Sequence, residues 1–193
     1  DYRVVDSEGD RAELVRSFAG QAFCFDTETT GLDTTTCDLI GIAFSREAGV
    51  GFYVVIDSPQ ALEDVRPLFE DAETLKIGHN LKFDLSVLRW HGLRVRGPLF
   101  DTMIAHFLVE ADQRHSMDFM AEAYLGYRPV PITDLIGDKG AEQLSLLEVE
   151  VEKQVDYAAE DADITLQLYQ KLVPLLEERG QERVFYEVEM PVL

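Results

Sequence analysis

Two acidic residues, Asp26 and Glu28, follow an apolar run near the start of the chain. The run, residues 22–25, has the composition of a buried β-strand, and residues two apart along a strand point to the same face. The two carboxylates are therefore expected to converge, while Thr27 points away. Like charges held together raise each other's pKa unless a cation lies between them, and Mg²⁺ prefers such oxygen ligands. By itself, an Asp-x-Glu pair is more often a solvated strand edge than a metal site.

A third acidic candidate, Asp84, lies in the first turn of a helix predicted over residues 80–91. Taken alone, its position is explained by a favourable interaction with the helix dipole, worth about 0.3–1 kcal/mol. Asp101 is predicted to cap a helix rather than to bind a ligand, because it directly precedes another helical segment. Asp84 therefore has a functional interpretation only in combination with other residues.

Tyr157 and Asp161 lie four residues apart in a long helical segment, and this spacing places both on one face of a helix. Glu160 and Asp163 are predicted to turn away from that pair, which makes Asp161 the better candidate ligand. The alanines between these residues would let the helix approach a sheet closely. The alternative is a solvated acidic helix face, with Tyr157 at its border.

The elements that must position these residues begin with three strand-like runs joined by short links, which predict an antiparallel meander. Shorter strands and helices then alternate, so the predicted fold class is α/β, a mixed sheet flanked by helices. Proline is expected to kink or restart the last helix at Pro174. The predicted strands are 22–25, 39–44, 51–56, 75–78 and 99–100, and the predicted helices are 60–69, 80–91, 103–109, 117–125 and 147–178.

The charge of the chain argues against strong nucleic-acid binding. Its 193 residues include 37 Asp and Glu against 17 Lys and Arg, and the formal net charge is −20. Nucleic-acid binders usually present a basic face, and an acidic surface repels phosphate. A carboxylate cluster that holds divalent cations, or a basic partner domain, would reconcile this charge with a polyanionic substrate. Any DNA binding by this chain alone is expected to be weak and salt-sensitive.

No segment of the sequence indicates secretion or a membrane partner. No apolar run approaches the roughly 18–20 residues that span a bilayer, and the first residues lack the pattern of a signal peptide. The two cysteines, Cys24 and Cys37, are expected to be reduced thiols of a cytoplasmic protein.

Taken in order, the acidic motifs resemble those of one known superfamily. Asp-x-Glu after an apolar strand, Asn-x-x-x-Asp on a helix and Tyr-x-x-x-Asp on a late helix resemble the DEDDy branch of the DnaQ-like exonucleases. The resemblance is closest to the proofreading domain of family A DNA polymerases, of the bacterial DNA polymerase I type. The segments that carry it are residues 25–29, 78–84, 100–103, 115–118 and 157–163.

The resemblance implies a ribonuclease-H-like fold, in agreement with the mixed sheet flanked by helices. It also implies a division of the chain. Residues 1–180 would form the 3′→5′ exonuclease domain, and residues 181–193 would begin the connection to a covalently attached polymerase domain. A cytoplasmic location at the bacterial nucleoid is expected on the same grounds.

The resemblance further implies that four carboxylates, Asp26, Glu28, Asp84 and Asp161, hold two divalent metal ions. Mg²⁺ is expected, with Mn²⁺ or Zn²⁺ as alternatives. Asp26 would bridge both ions, while Glu28 and Asp161 would complete the site that binds the attacking water. Asp84 would serve the second ion, largely through water. Tyr157 would orient the nucleophilic water.

Substrate contacts implied by the resemblance lie beside these motifs. Thr29 and Leu32 would contact the terminal nucleotide, and Leu32 could separate the last two bases. Asn80 and Phe83 would contact backbone or sugar, and Ile132 is a further apolar candidate. For Leu32, Phe83 and Ile132, packing in the core is an equally good interpretation.

The predicted activity is hydrolysis of terminal phosphodiesters at the 3′ end of single-stranded DNA, with release of nucleoside 5′-monophosphates. Two ions would stabilise the attacking and leaving oxygens in one in-line displacement. The enzyme would proofread for the attached polymerase. The alternatives are RNase D-like trimming of RNA 3′ ends and an inactive structural module. The presence of all four carboxylates and Tyr157 disfavours an inactive module.

Overall fold

The computed structural model describes residues 1–138 and 144–193 of the chain. A six-stranded sheet lies at its centre. The strands are β1 (Tyr2–Val5), β2 (Phe23–Thr29), β3 (Leu39–Glu47), β4 (Val50–Val55), β5 (Lys76–Gly78) and β6 (Leu99–Asp101). Their order is β1-β4-β3-β2-β5-β6. The β2-β3 and β3-β4 pairs are antiparallel and the others are parallel, which confirms the predicted meander and mixed sheet.

Eight α-helices in the described residues accompany the sheet. They are α1 (Glu8–Phe18), α2 (Pro59–Glu70), α3 (Leu81–Trp90), α4 (Thr102–Val109), α5 (Met117–Leu125), α6 (Thr133–Ile136), α7 (Val151–Glu178) and α8 (Glu182–Val184). Serine side chains cap the first turns of α1 and α2, since Ser7 accepts from Asp10 N and Ser58 accepts from Ala61 N.

Two elements near the N-terminus, β1 and α1, were not predicted. β1 is a short edge strand whose partner, β4, lies about fifty residues further along the sequence, as the Tyr2–Gly51 pairing illustrates. Its four residues carry no alternating pattern long enough to identify a strand. The edge position of β1 therefore depends on long-range packing rather than on local propensity.

The predicted restart of the last helix at Pro174 is wrong, because α7 runs through this residue as one helix of 28 residues. Pro174 is exposed, so water can hydrogen-bond the carbonyl that loses its intrahelical partner. The helix also starts later than predicted. A separate 3₁₀ turn, Leu146–Glu148, precedes it and has Ser145 as its capping residue.

The hydrophobic core has a separate part on each face of the sheet. On one face, α1, α2 and α3 cover a group of phenylalanine rings, in which Phe25 and Phe69 are in edge-to-face contact with centroids 5.0 Å apart. On the other face, α4, α5 and α7 pack over Ile77 and Phe100. This arrangement gives the sheet helices on both sides, as predicted.

Helix α7 lies very close to the sheet at Gly51. A Cβ atom added to Gly51 would lie 2.8 Å from the carbonyl oxygen of Ala159, so a larger residue has no room there. The small side chains of Ala158 and Ala162 are fully buried in the same contact. The expectation that alanines allow close approach of this helix is confirmed, and the approach brings Asp161 towards β2.

The end of β2 contains an irregularity. Glu28 pairs with Gly41 and Thr29 pairs with Leu39, so Ile40 is the extra residue of a β-bulge. Bulges bend a strand and redirect its side chains. This one lies beside Glu28, at the acidic end of the strand.

The described part of the chain contains no helix both long and apolar enough to span a membrane. Cys24 and Cys37 are buried and unpaired with each other.

Candidate metal centre

Three carboxylates meet where β2 ends. Asp26, Glu28 and Asp161 each contribute an oxygen, and these atoms all lie within 4.8 Å of one another. Asp26 and Glu28 come from the same face of β2, as their spacing predicted, and Asp161 comes from α7. Within residues 1–138 and 144–193, no other group of three His, Cys, Asp or Glu side chains converges in this way.

The fourth predicted carboxylate, Asp84, reaches β2 from the first turn of α3. One of its oxygens accepts hydrogen bonds from the Thr27 backbone N–H at 3.0 Å and from the Thr27 hydroxyl at 2.5 Å. Asp84 lies outside the group of three, although its charge acts on Glu28. Its other oxygen has no protein donor among the described residues and is free to accept from water or a ligand.

Thr27 is a site residue that the sequence did not reveal. The strand pattern predicted only that it points away from Asp26 and Glu28. The structure shows that it points to Asp84 instead, and it holds that carboxylate through both backbone and side chain. The sequence did contain a signal for this role. Thr27 carries a hydroxyl between two candidate ligands, and its side chain points to the face of the sheet that the helix of Asp84 covers.

Nothing positive balances these carboxylates in the described parts of the chain, where none of them forms an ion pair with Lys or Arg. Burial, and then the charge of Asp161, raises the pKa of Asp26 to about 8. Burial and the charges of Asp26 and Asp161 raise the pKa of Glu28 well above its usual value. A site that holds several mutually repelling oxygen ligands and no cation of its own fits a divalent metal ion.

Tyr157 stands beside Asp161 on the same face of α7, which confirms the predicted spacing. Burial raises the pKa of Tyr157, and the charges of Asp161, Glu28 and Asp26 raise it further. Its hydroxyl therefore stays protonated and remains a donor. Burial raises the pKa of Asp161 to about 8, and the hydrogen bond from Tyr157 partly offsets that rise.

A second tyrosine, Tyr53, packs against the neighbouring strand at the position that pairs with Glu28. Gly41, the partner of Glu28 in the sheet, leaves room for the Tyr53 ring, because an added Cβ would lie 2.1 Å from the Tyr53 hydroxyl oxygen. That hydroxyl donates to Gln154 Oε1 at 3.0 Å. Gln154 Nε2 donates to the carbonyls of Leu146 and Val149, at 3.0 and 2.7 Å. Isolated Gly, Tyr and Gln residues form no sequence pattern, so this support was not predicted.

The two acids that neighbour Asp161 point elsewhere, as predicted, but both are buried rather than solvated. Glu160 accepts from the Tyr127 hydroxyl and from the Val130 backbone N–H, the latter at 3.0 Å. Asp163 accepts from the Tyr2 hydroxyl and from the Gly49 backbone N–H, both at 2.9 Å. The alternative of a solvated acidic helix face is therefore wrong, because these carboxylates join loops and β1 to α7.

Asp101 is a helix cap, as predicted, and it also fixes the start of α3. Its carboxylate accepts from the backbone N–H groups of Met103 and Ile104 at the start of α4. It also accepts from Asn80 N and Leu81 N. Asn80 has φ 60°, the one positive value among the described non-glycine residues. Asp101 thus holds Asn80 in a left-handed conformation directly before the helix that carries Asp84.

The predicted substrate contacts flank these ligands. Thr29 follows Glu28 and donates to the Gly31 carbonyl at 2.8 Å, and Asn80 is exposed at the start of α3. Leu32 is 86% exposed, so the core-packing interpretation is wrong for this residue. Phe83 is half-buried against the first core and Ile132 is half-buried beside Ile40, so packing accounts for part of both side chains.

Thermal stability of the metal-free protein is expected to fall between about pH 6 and about pH 8.5. The pKa of Asp26 and that of Asp161 are raised to about 8, whereas an unfolded Asp titrates near about 3.9. Between these values the folded protein keeps protons that the unfolded chain has lost, so stability decreases as pH rises through the folded pKa. Scanning fluorimetry in EDTA should show a Tm decrease of about 5 °C or more.

Mg²⁺ should oppose this decrease, because a cation binds the deprotonated carboxylates. The Tm gain on adding Mg²⁺ is therefore expected to grow over the same pH interval. The Asp26→Asn variant is the control, and its Tm should depend less on pH in EDTA. A metal-free Tm that rises with pH in this interval would contradict the raised pKa values.

The sequence matches the model of a protein family described as 3′–5′ exonuclease over residues 2–177. It is 35% identical to the DNA polymerase I of Pseudomonas aeruginosa over an alignment 209 positions long, gaps included, which covers 100% of this chain and 23% of that protein. It is 32% identical to the DNA polymerase I of Borreliella burgdorferi, with 98% of this chain and 21% of that protein covered. The chain thus spans less than a quarter of the length of these two relatives.

Solved structures resemble the fold over nearly the whole chain. Brucella melitensis NrnC with bound Mg²⁺ is 25% identical, with a TM-score of 0.73 and coverage of 96% of this chain and 85% of that one. Escherichia coli RNase D, an exoribonuclease involved in structured RNA processing, is 22% identical, with a TM-score of 0.75 and coverage of 97% and 48%. The ribonuclease-H-like fold predicted from the sequence is thereby confirmed.

Proposed function

This chain belongs to the 3′–5′ exonuclease family whose model it matches, and we propose that it hydrolyses terminal phosphodiesters at the 3′ end of single-stranded DNA. The products would be nucleoside 5′-monophosphates. The observation that carries this proposal is the convergence of Asp26, Glu28 and Asp161 within 4.8 Å, without a balancing cation in the described chain. Asp84, held by Thr27, stands beside this group.

The donor set fits two divalent ions, with Mg²⁺ preferred and Mn²⁺ or Zn²⁺ as alternatives. Asp26, Glu28 and Asp161 would hold one ion, and Asp26 and Asp84 would hold the other. When bound, such ions stabilise negative charge on the phosphoryl and leaving oxygens and favour formation of hydroxide near neutral pH. Metal ligands must be deprotonated, so each of the four carboxyl groups must release the proton that burial favours.

The protein's own groups position the reactants. The Tyr157 hydroxyl, a protonated donor next to Asp161, would hold the attacking water in line with the scissile bond. Thr27 fixes the orientation of Asp84, so this ligand loses little freedom when it engages. Thr29 and the exposed Leu32 would contact the terminal nucleotide, and Asn80 and Phe83 would contact backbone or sugar.

DNA is the proposed substrate because the two relatives with the highest identities given above are DNA polymerases I. The same resemblance supports residues 1–180 as an exonuclease domain that proofreads for a covalently attached polymerase, with residues 181–193 as the start of the connection. Phe185 lies in that segment and is buried against Phe100, with ring centroids 4.6 Å apart, so the connection would begin as part of the packed domain. The enzyme would act in the cytoplasm, at the nucleoid.

RNA trimming is the second candidate, because E. coli RNase D shares the fold and is an exoribonuclease. A choice between the two depends on contacts with the 2′-hydroxyl of the sugar. An inactive structural module is disfavoured by the complete set of Asp26, Glu28, Asp84, Asp161 and Tyr157.

The decisive experiment compares single-stranded DNA and RNA of one sequence, each labelled at the 5′ end. With Mg²⁺ or Mn²⁺, the DNA should shorten progressively from its 3′ end, and EDTA should stop the reaction. A parallel 3′-labelled strand should lose its label as a mononucleotide, which excludes internal cleavage. Absence of cleavage with either metal would reject the nuclease proposal, and faster trimming of RNA would reject DNA as the preferred substrate.

A further inference from the structure

One surface of this acidic protein is basic, and it lies along α3 and the turn that follows. Residues 82–96 contain four cationic residues, Lys82, Arg89, Arg94 and Arg96, and a single acidic residue. The acidic residue is Asp84, which is buried at the metal centre. The four cationic residues are exposed. The net charge of −20 is therefore distributed unevenly along the chain, because residues 82–96 carry a net positive charge.

These four cationic side chains have no carboxylate partner among the described residues. The three acids of the adjacent helix α2 already have other partners, and Asp64 pairs with Arg11. Arg66 pairs with Glu63 at 2.5 Å and with Glu70 at 3.0 Å, and it also donates to the Gly92 carbonyl at 3.0 Å. Because Glu63 and Glu70 pair with Arg66, they do not neutralise the basic surface. The hydrogen bond from Arg66 to Gly92 also holds the turn after α3.

Arg89 and Arg94, together with Gly92 and Leu93, line an open depression of about 220 Å³. This is room for a phosphate group with several waters, each of which occupies about 30 Å³ in the liquid. Arginine carries a planar fork of donors that matches phosphate oxygens. Two unpaired guanidinium groups at one depression are thus a site for a phosphate.

Trp90, the one tryptophan in the chain, adjoins this depression and is 64% exposed. It shares an exposed face of α3 with Lys82 and Arg89, since residues seven or eight apart recur on one side of a helix. An exposed aromatic ring among cationic side chains is the combination that binds single-stranded nucleic acid, by stacking on bases and pairing with phosphates.

Helix α3 also links this surface to the metal centre. Its first turn carries Asp84 and its last residue is Trp90. Its 10 residues span about 15 Å at about 1.5 Å per residue. Lys82 and Arg89 lie about 140–160° around the helix axis from Asp84, so the strand must also pass around a helix roughly 10 Å wide. At about 3.4 Å per stacked nucleotide, the combined path corresponds to roughly six to seven nucleotides. A strand with its 3′ end at the carboxylates is long enough to reach Arg89 and Arg94.

We propose that Arg89, Trp90 and Arg94 form a second contact surface for nucleic acid, which binds the substrate strand upstream of the end being hydrolysed. The inference that this surface binds the strand upstream of the hydrolysed end rests on the proposed nuclease function. The phosphates would bind between Arg89 and Arg94, and a base would stack on Trp90. The surface gives an acidic protein a local attraction for a polyanion. It also makes long strands better substrates than short ones.

The first test measures binding in EDTA, where no hydrolysis occurs, with the full chain and a roughly 12-nucleotide single strand. Because Trp90 is the sole tryptophan, quenching of its fluorescence reports contact at this surface directly. In Arg89→Gln/Arg94→Gln, Kd should rise about tenfold or more. The slope of log K against log salt should fall in size by about 1.4, as expected for two lost phosphate contacts on a single strand.

The matched control is Arg16→Gln/Lys171→Gln, which makes the same change in net charge at exposed residues of α1 and α7. Its Kd should stay within about twofold of the original protein, because a long-range charge effect would alter both variants equally. Equal weakening in the two variants, or unchanged Trp90 fluorescence at saturating DNA, would overturn the proposal. That fluorescence result needs no variant, so it holds even if a variant folds poorly.

The second test separates this surface from catalysis. On the long strand with Mg²⁺, Arg89→Gln/Arg94→Gln should raise KM about tenfold and leave kcat unchanged, while hydrolysis of a trinucleotide stays the same. Quenching of Trp90 by DNA without any cleavage would reject the nuclease function and retain the surface. Cleavage by the double variant with an unchanged KM would retain the nuclease function and reject the surface. A concentration-dependent dimer, seen by sedimentation and lost in the variant, would assign the surface to a second copy and overturn the proposal.

Discussion

Asp26→Asn is expected to reduce metal-dependent cleavage by at least about 10³-fold, because charge stabilisation by a bound metal ion is worth several kcal/mol. Asp26 belongs to the group formed with Glu28 and Asp161, and, in addition to burial, its charge raises the pKa of Asp84, so it is the ligand most able to serve both ions. An amide there removes one negative charge and one acceptor. Single-turnover rates with saturating Mg²⁺ and labelled single-stranded DNA measure the loss.

The same substitution is expected to stabilise the metal-free protein. Burial and the charge of Asp161 oppose ionisation of Asp26, which raises its pKa. Asparagine has no charge to desolvate or repel, so Tm in EDTA near about pH 8 should rise. The gain in Tm on adding Mg²⁺ should shrink. Loss of activity with a lower Tm would indicate that the fold, and not the site, had been damaged.

Asp163→Asn provides the contrast, because Asp163 is a buried carboxylate with structural partners. One of its oxygens accepts from Gly49 N and Gln167 Nε2, and the other accepts from the Tyr2 hydroxyl. An amide nitrogen would face one of these donors, at a cost of about 1–3 kcal/mol. Its Tm should therefore fall while the response to Mg²⁺ persists. Two aspartates, one on β2 and one on α7, would then show opposite changes in stability.

Tyr157→Phe is expected to reduce kcat by about 10- to 100-fold, with little change in the Tm gain from Mg²⁺, because a misplaced reactant alone costs up to about 10²-fold. Phenylalanine keeps the half-buried ring and removes only the hydroxyl that orients water. Because the pKa of Tyr157 is raised, the hydroxyl does not ionise in the working range. The pH profile of the residual activity should therefore keep its shape.

Tyr53→Phe is the matched control for Tyr157→Phe. Both tyrosines lie near Glu28, but the Tyr53 hydroxyl donates to Gln154 rather than towards the metal ligands. Removing it should cost about 1 kcal/mol of stability and leave kcat within about twofold. If Tyr53→Phe lowered kcat as strongly as Tyr157→Phe, the role assigned to the Tyr157 hydroxyl would be wrong.

The parts of this molecule that were predictable have a local signature. Asp26 and Glu28 are two apart on a strand, and Tyr157 and Asp161 are four apart on a helix, so backbone geometry fixes which side chains share a face. Asp101 precedes a helical segment, which identifies a cap. The mixed sheet followed from strand-like runs that are joined first by short links and then by helices.

The parts that were not predictable depend on hydrogen bonds between distant segments. Thr27 and Asp84 are 57 residues apart, and Tyr53 and Gln154 are 101 residues apart. The strand β1 has its partner about fifty residues away. Buried Glu160 could not be distinguished from a solvated acid, because its burial depends on a loop that folds over it. The basic surface is formed by one face of a helix and the turn after it. A total charge of −20 does not show how charge is distributed over such a surface, so the composition gave no sign of it.

The long helix α7 restricts how the length of this chain can change during evolution. Gln154, Glu160 and Asp163 leave the helix in different directions and meet separate partners, while Asp161, with Tyr157 beside it, meets the carboxylates of β2. One inserted or deleted residue ahead of them would rotate every later side chain by about 100° and displace it by about 1.5 Å. All of these contacts would be lost together. Insertions and deletions among homologues should therefore be absent from residues 154–163 and should concentrate in the turns before Val151.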